Sequence, residues 1–396
     1  MGGGTGMAKL ADQSSRHTGG DATSDHPLAA NGGASTPAGY PLPVSTWDLI
    51  AGSPLRIEGY SFQRLAQQVS SGVERGTTVG RLFGDGEQGV GEDVTYTPDD
   101  HAALLAWGTR LPLAGKHTLA SLAEKLDELE LFPSPPALEA ARHYRRWAFE
   151  SAALDLALRQ QGRALHEALC RRPQPVRFVV SRRLAEPPRA AEIAALLAAA
   201  PGLRFKLDPT TAWDDGLCRD LAALGVVDCI DLKGAYQGTV VDLAPDPVLY
   251  GRVAAAFPAA WIEDPAVTAE TRPVLEPHAG RITWDAVIHS TADIDVLPWR
   301  PQALNCKPSR FGSLRALLDF YDRCAADGIA LYGGGQFELG PGRGQIQYLA
   351  SLFHPDGCND VAPVGWNAAE PAAGLPVSPL APEPQSAGFR WGRDAR

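Results

Sequence analysis

Hydrophobic and polar positions along the chain fall into two rhythms. After about residue 175, short apolar runs recur at VRFVVS, LRFKLD, VVDCIDLK, AAWIEDP, RITWDAV, QALNCK, GIALYGG and NDVAPVG. Helix-prone stretches such as PRAAEIAALLAAA, WDDGLCRDLAALG and GSLRALLDFYDRCAADG separate several of them. Eight strand-like runs alternating with helical connections predict an α/β fold, a (β/α)8 barrel of the modified TIM type. An open doubly wound sheet alternates in a similar way, so the rhythm alone leaves both in play. Upstream the pattern differs. TTVGRLF alternates β-favouring and small residues, GDGEQG reads as a turn, and VGEDVTY resumes a strand. ARHYRRWAFESAALDLALRQQGRALHEAL then sets Trp147, Leu154, Leu156 and Leu158 among good helix formers, with Arg and Gln on the wet side. That part predicts an α+β domain.

Composition sets the boundaries. Residues 1–44 are rich in Gly, Ser, Thr, Ala and Asp and almost free of large apolar side chains, so a disordered tail is expected. The α+β domain is expected over 45–150 and the barrel over 151–366. A Pro- and Ala-rich tail, 367–396, is expected to run over the surface and pack back on the first domain. With 396 residues and 44% hydrophobic content the chain can bury a large core. A formal net charge of −10 argues against nucleic acid or an anionic membrane as partner, but not against a small anion at a local site. Six scattered cysteines without a C-x-x-C pair read as free thiols. No apolar stretch approaches the roughly 20 residues of a spanning helix, and the N-terminus has no apolar signal-peptide core. A soluble, cytoplasmic protein is expected.

Chemistry enters at the strand ends, where barrels carry their active sites. Successive runs end on Lys206, Asp231, Glu263, Asp285 and Lys307. Three carboxylates lie in the middle and one lysine flanks them on each side. Carboxylates converging at a barrel mouth repel one another unless a hard divalent cation lies between them, and Mg²⁺ suits such oxygen donors. The same cation can lower the cost of an enediolate formed when a proton leaves the carbon beside a carboxylate. A lysine with its ordinary pKa near ~10.4 is no base at neutral pH, but burial and a neighbouring cation can bring it down to roughly 7–8. Two such lysines facing one carbon permit racemisation, or elimination with one of them as electrostatic partner. A lone strand-end acid is more often a cap or a solvated loop residue; five charges in this order are not.

These motifs resemble the enolase superfamily and, within it, the muconate-lactonizing-enzyme subgroup, which has lysines on both strands. RFKLDP is similar to the subgroup's K-x-K strand with Lys206 at the catalytic position. CIDLKG, WIEDP and ITWDAV are similar to its three metal strands, and LNCKPSRFGSL to its sixth strand with Lys307. GGGQFELGPGRGQIQYLASL resembles a Glu-containing loop of o-succinylbenzoate synthases and N-acylamino-acid racemases, which would make Glu338 a site residue. GDGEQGVGEDVTY resembles strands of the family's capping domain. The resemblance spans about residues 50–370. It implies one Mg²⁺ on Asp231, Glu263 and Asp285, Lys206 and Lys307 as catalytic pair, a small carboxylate substrate, and an isomerase or lyase of the synthase/racemase type. Dipeptide epimerisation and muconate-type cycloisomerisation are the alternatives. Neither nucleic acid nor membrane is implied as a partner, and self-association into a homo-oligomer is compatible with it.

Three positions depart from the pattern. Arg204 replaces the first lysine of K-x-K and, two residues from Lys206, is expected on the same face. Lys233 stands where asparagine is common, and Ala286 where an acid is frequent. Arg204 and Lys233 are therefore candidates for binding a substrate anion. Specificity is expected in the capping loop near Gln67–Arg75 and in the loop after the seventh strand. His289 and His354 read as loop or core histidines, and GPGRG, lacking the Lys-Ser/Thr of a phosphate loop, as a tight turn. Two rival classes remain: a Schiff-base aldolase, which needs no carboxylate triad, and a non-catalytic carboxylate-binding relative.

Overall fold

The computed structural model of the chain describes residues 44–392 apart from 69–73, 236–242 and 369. Of the expected N-terminal tail only Val44 lies among them, and most of the expected capping loop lies outside them. In the N-terminal domain β1 (Pro54–Ile57) is followed by a three-stranded antiparallel meander of β2 (Gly59–Gln68), β3 (Glu74–Gly84) and β4 (Glu87–Asp93). β5 (Gly115–Thr118) then pairs back on β1. The GDGEQG turn closes β3 on β4 through Asp85 and Gly86, both at positive φ (51° and 75°), the conformation a tight two-residue hairpin requires.

The helix Ala141–Gln160 packs its apolar face on β4 and is buried over most of its length. Glycine makes this possible. A Cβ at Gly89 would come within 2.1 Å of the Ala152 carbonyl, and one at Gly91 within 2.0 Å of the Ala148 carbonyl. The helix crosses the expected domain boundary at residue 150, because nothing in its sequence stops it before Gly162, at φ 61°.

The C-terminal domain carries the expected alternation. β6 (Val180–Arg182), β7 (Phe205–Leu207), β8 (Val227–Asp231), β9 (Trp261–Glu263) and β10 (Ile282–Thr283) form one parallel sheet in sequence order. β11 (Ala303–Cys306) and β12 (Ala330–Gly333) form a second parallel pair. Single bonds continue the order around a ring. The Asn305 amide donates to the Trp284 carbonyl (3.0 Å), Gly334 bridges Asp360, and Phe178 bridges Asn359. Residues 359–360 thus stand in the place of the eighth strand. The helical layer is uneven: the link from β10 to β11 holds only a 3-10 turn, Thr291–Val296. The C-terminal segment packs back across both domains. Leu380 pairs with Val176, Arg390 reaches the Gln88 carbonyl of β4 (2.6 Å), and Trp391 lies against Tyr348.

Candidate active site

The ring directs the C-terminal ends of its strands toward the N-terminal domain, and the five strand-end charges gather there. Lys206, Asp231, Glu263 and Asp285 are at most 1% exposed, and Lys307 is 8% exposed. The Lys206 ammonium lies 2.9 Å from Asp231, contacts Glu263, and stands 3.9 Å from Asp360. Lys307 lies 2.7 Å from Asp285, whose other oxygen takes Arg310 at 2.8 Å. Asp264, which follows Glu263 in WIEDP, adds a fourth buried carboxylate. Oxygens of Asp231, Glu263 and Asp264 lie within 4.8 Å of one another. Asp264 sits at φ 47° and accepts the backbone amides of Asp285 (2.8 Å) and Ala286 (2.9 Å), so it props the turn that carries Asp285. Tyr332 of β12 donates to Glu263 (2.5 Å).

So much buried negative charge has a cost that falls unevenly. Burial pushes Glu263 up to about 8, reinforced by Asp231, Asp285 and Asp264 against the pull of Lys206. Burial likewise lifts Asp264 to about 6. Burial also opposes ionisation of Asp231 and Asp285, but Lys206 and Lys233 hold the first, and Arg310 and Lys307 the second, well below the usual carboxylate range. Burial disfavours both ammonium ions. The carboxylates around Lys206 overcome it and raise that lysine, whereas at Lys307 burial, with Arg310, prevails over Asp285.

The three remaining candidates are placed differently. Lys233, at φ 52°, turns its ammonium onto Asp231 and lies 3.6 Å from Asp208. Arg204 does not join the cluster. Its guanidinium grips Asp228 through two 3.0 Å bonds from Nε and donates to the Gly225 carbonyl (2.9 Å), in the loop that enters β8. Glu338 is buried in the loop after β12, accepting the Gln336 amide (2.7 Å) and lying 3.3 Å from Arg343. Sequence reasoning missed Asp264, Arg310, Asp208, Asp360 and Tyr332. The first four were visible as charges beside the motifs in WIEDP, KPSRF, FKLDP and NDVAP; nothing in the sequence marked Tyr332. His354 is a core histidine bonded to Asn359 (2.7 Å).

Family models for the N-terminal and C-terminal domains of a domain of unknown function, DUF8230, match residues 48–168 and 172–368. Comparison with curated proteins gave no match. Solved structures are similar across most of the chain. An enolase-superfamily member from Listeria innocua is 17% identical, with 80% of this chain and 88% of that one covered and a TM-score of 0.59. A dipeptide epimerase from Methylococcus capsulatus, complexed with a Mg ion, is 19% identical (80% and 88% covered, TM-score 0.55). The muconate lactonizing enzyme of Pseudomonas putida is 18% identical (77% and 88% covered, TM-score 0.55). The superfamily resemblance carried by the strand ends is thus borne out in the fold: an N-terminal capping domain joined to a barrel. The chain belongs to the DUF8230 family and is built on the fold of the enolase superfamily.

Proposed function

We propose that the chain is a Mg²⁺-dependent isomerase or lyase that removes the proton α to the carboxylate of a small substrate. One observation carries this reading: two buried lysines stand on either side of a cluster of buried carboxylates. Lys206 lies in the second, and Lys307 directly follows the sixth, of eight segments in the ring, so they approach its axis from opposite sides, one for each face of an α carbon.

The donor set fits a hard divalent cation, being all oxygen, buried and mutually repulsive. Asp231 and Glu263 are two of its ligands. Strand-end order makes Asp285 the third, whereas distance favours Asp264. We assign Asp285, because both oxygens of Asp264 are held by backbone amides, those of Asp285 and Ala286, whereas the oxygens of Asp285 are paired with the side chains of Lys307 and Arg310, which can move to admit a cation. Bound there, Mg²⁺ would supply Lewis-acid stabilisation of an enediolate. The protein's own groups do the rest. Lys307, which burial already lowers, and Lys206, once a cation on Asp231 and Glu263 would offset the carboxylates that raise it, exchange the α proton; Arg310 fixes Asp285, Tyr332 orients Glu263, and Lys233 adds positive charge for an anionic substrate. The capping domain roofs the site through the Glu338 loop.

The net reaction we favour is that of an o-succinylbenzoate synthase/N-acylamino-acid racemase-like enzyme; dipeptide epimerisation and muconate-type cycloisomerisation are the second readings, a dipeptide epimerase and a muconate lactonizing enzyme being among the proteins of like fold. The test is incubation in D₂O with N-acylamino acids, dipeptides and other carboxylic acids, with and without Mg²⁺. Mass-spectrometric deuterium gain at the α carbon that requires Mg²⁺ is expected. Exchange that is indifferent to a chelator would contradict the metal assignment, and incorporation into none of these acids would contradict the reaction class.

A further inference from the structure

The turn after β8 brings a cation to the carboxylates assigned to the metal. Its backbone is stitched to the neighbouring strand end. The Leu232 amide donates to the Glu263 carbonyl (2.9 Å) and the Gly234 amide to the Asp264 carbonyl (2.8 Å). A Cβ at Gly234 would come within 2.2 Å of the Ala266 nitrogen, so the two turns meet backbone to backbone. Between these anchors Lys233 sits at φ 52°, a conformation uncommon outside Gly, Asn and Asp, and its amide donates to Asp231 Oδ1 (3.1 Å). Such a conformation persists only where the surroundings fix it, and it collects at functional sites. The backbone thus sets where the side chain starts and leaves its own torsions to move the ammonium.

Two acids lie within that reach. The ammonium contacts Asp231 Oδ2, which also takes Lys206 at 2.9 Å, and stands 3.6 Å from Asp208 Oδ2. Asp208 directly follows β7, and its other oxygen, Oδ1, is buried with no hydrogen-bond partner among the described residues. A buried carboxylate oxygen left in that state is costly, and a charge-assisted bond from an ammonium relieves it. A divalent cation on Asp231 would repel an ammonium held at the same carboxylate. Asp208 offers that ammonium a second partner with no change in the backbone.

We propose that Lys233 and Asp208 are positioning residues that set the affinity of the metal centre: Lys233 holds Asp231 in the metal-free protein and turns to Asp208 when a divalent cation takes Asp231. The inference rests on the metal assignment given above and adds to it a competitor built into the chain.

The test is calorimetric titration of Mg²⁺ into the full chain and its Lys233→Met, Asp208→Asn and doubly substituted variants, with melting temperatures taken without Mg²⁺. Lys233→Met removes the competing charge and should bind Mg²⁺ about tenfold more tightly than the parent. It should also melt lower without Mg²⁺, because Asp231 loses an ammonium partner. Asp208→Asn removes the carboxylate that receives the lysine and should weaken Mg²⁺ about tenfold. Placed on Lys233→Met, the same substitution should change Mg²⁺ affinity less than about twofold, since no lysine remains to be received. Equal weakening by Asp208→Asn in both backgrounds would mean that Asp208 acts on the cation directly, and would overturn the inference. So would a Lys233→Met protein that binds Mg²⁺ no more tightly than the parent. Either outcome leaves the metal assignment standing, whereas no Mg²⁺ uptake by the parent or by Lys233→Met would overturn that assignment and this inference together.

Discussion

Arg204 shows what strand alternation can and cannot tell. Two residues from Lys206 it shares a face, but it lies about 6.6 Å further from the strand's C-terminal end. At that depth the nearest carboxylate is Asp228, and a bidentate guanidinium–carboxylate pair takes the side chain away from the mouth. The sequence held both residues but not their proximity, which depends on β8 lying beside β7. Lys206, Asp231, Glu263, Asp285 and Lys307 were legible because the end of a barrel strand is a position that chain order alone defines. Asp264 and Arg310 were not, since their roles are contacts across strands. The distinction between Asp264 and Asp285 can be measured. Asp285→Asn should reduce the Mg²⁺-dependent rise in melting temperature sharply, with apparent affinity down about tenfold or more. Asp264→Asn should lower the melting temperature without Mg²⁺, through loss of charge-assisted bonds to the Asp285 and Ala286 amides, and keep most of the Mg²⁺ shift. The reverse pattern would make Asp264 the ligand.

Among the elements, the hairpin of β3 and β4 was readable because Asp85-Gly86 is a turn signal with one structural solution. The helix Ala141–Gln160 was legible as one run of helix formers from Ala141 onward, and it passes through the expected domain division at residue 150. A helix is cooperative and continues until a residue ends it, and here that residue is Gly162. The sequence did not reveal that β4 lies directly on this helix, since the glycines at 89 and 91 could equally have marked loops. Their backbones touch helix carbonyls, so Gly91→Ala has no room for its methyl group. Chemical denaturation should show a loss of about 3 kcal/mol, at the upper end for overpacking. A loss below about 0.5 kcal/mol would mean that the strand and helix separate easily.

For the whole molecule, one buried carboxylate ties three remote stretches together. Asp155 of the long helix accepts the Val90 amide (2.9 Å), the Phe389 amide (2.8 Å) and Arg390 (2.8 Å). The C-terminal tail, expected to pack back on the first domain, meets it through this carboxylate, a contact that its Pro- and Ala-rich composition did not specify. Removing Arg390 leaves a buried charge without its guanidinium, so Arg390→Ala should cost about 3–5 kcal/mol near neutral pH. Burial already raises the Asp155 pKa despite Arg390, and the variant should raise it further. Protonation then relieves the unpaired charge as pH falls, so the deficit should be smaller at about pH 5 than at about pH 8. A deficit that grows on acidification would contradict this assignment.

The ring, the roof and the charges converge on one claim, that Lys206 and Lys307 address opposite faces of a single α carbon. The decisive measurement is stereospecific α-deuterium exchange with resolved enantiomers of a substrate, in Mg²⁺, for Lys206→Ala and Lys307→Ala. Each variant should lose exchange of one enantiomer by about 10²-fold or more and retain exchange of the other, with the two variants complementary. Loss of the same enantiomer in both would place the lysines on one face and contradict the two-sided site.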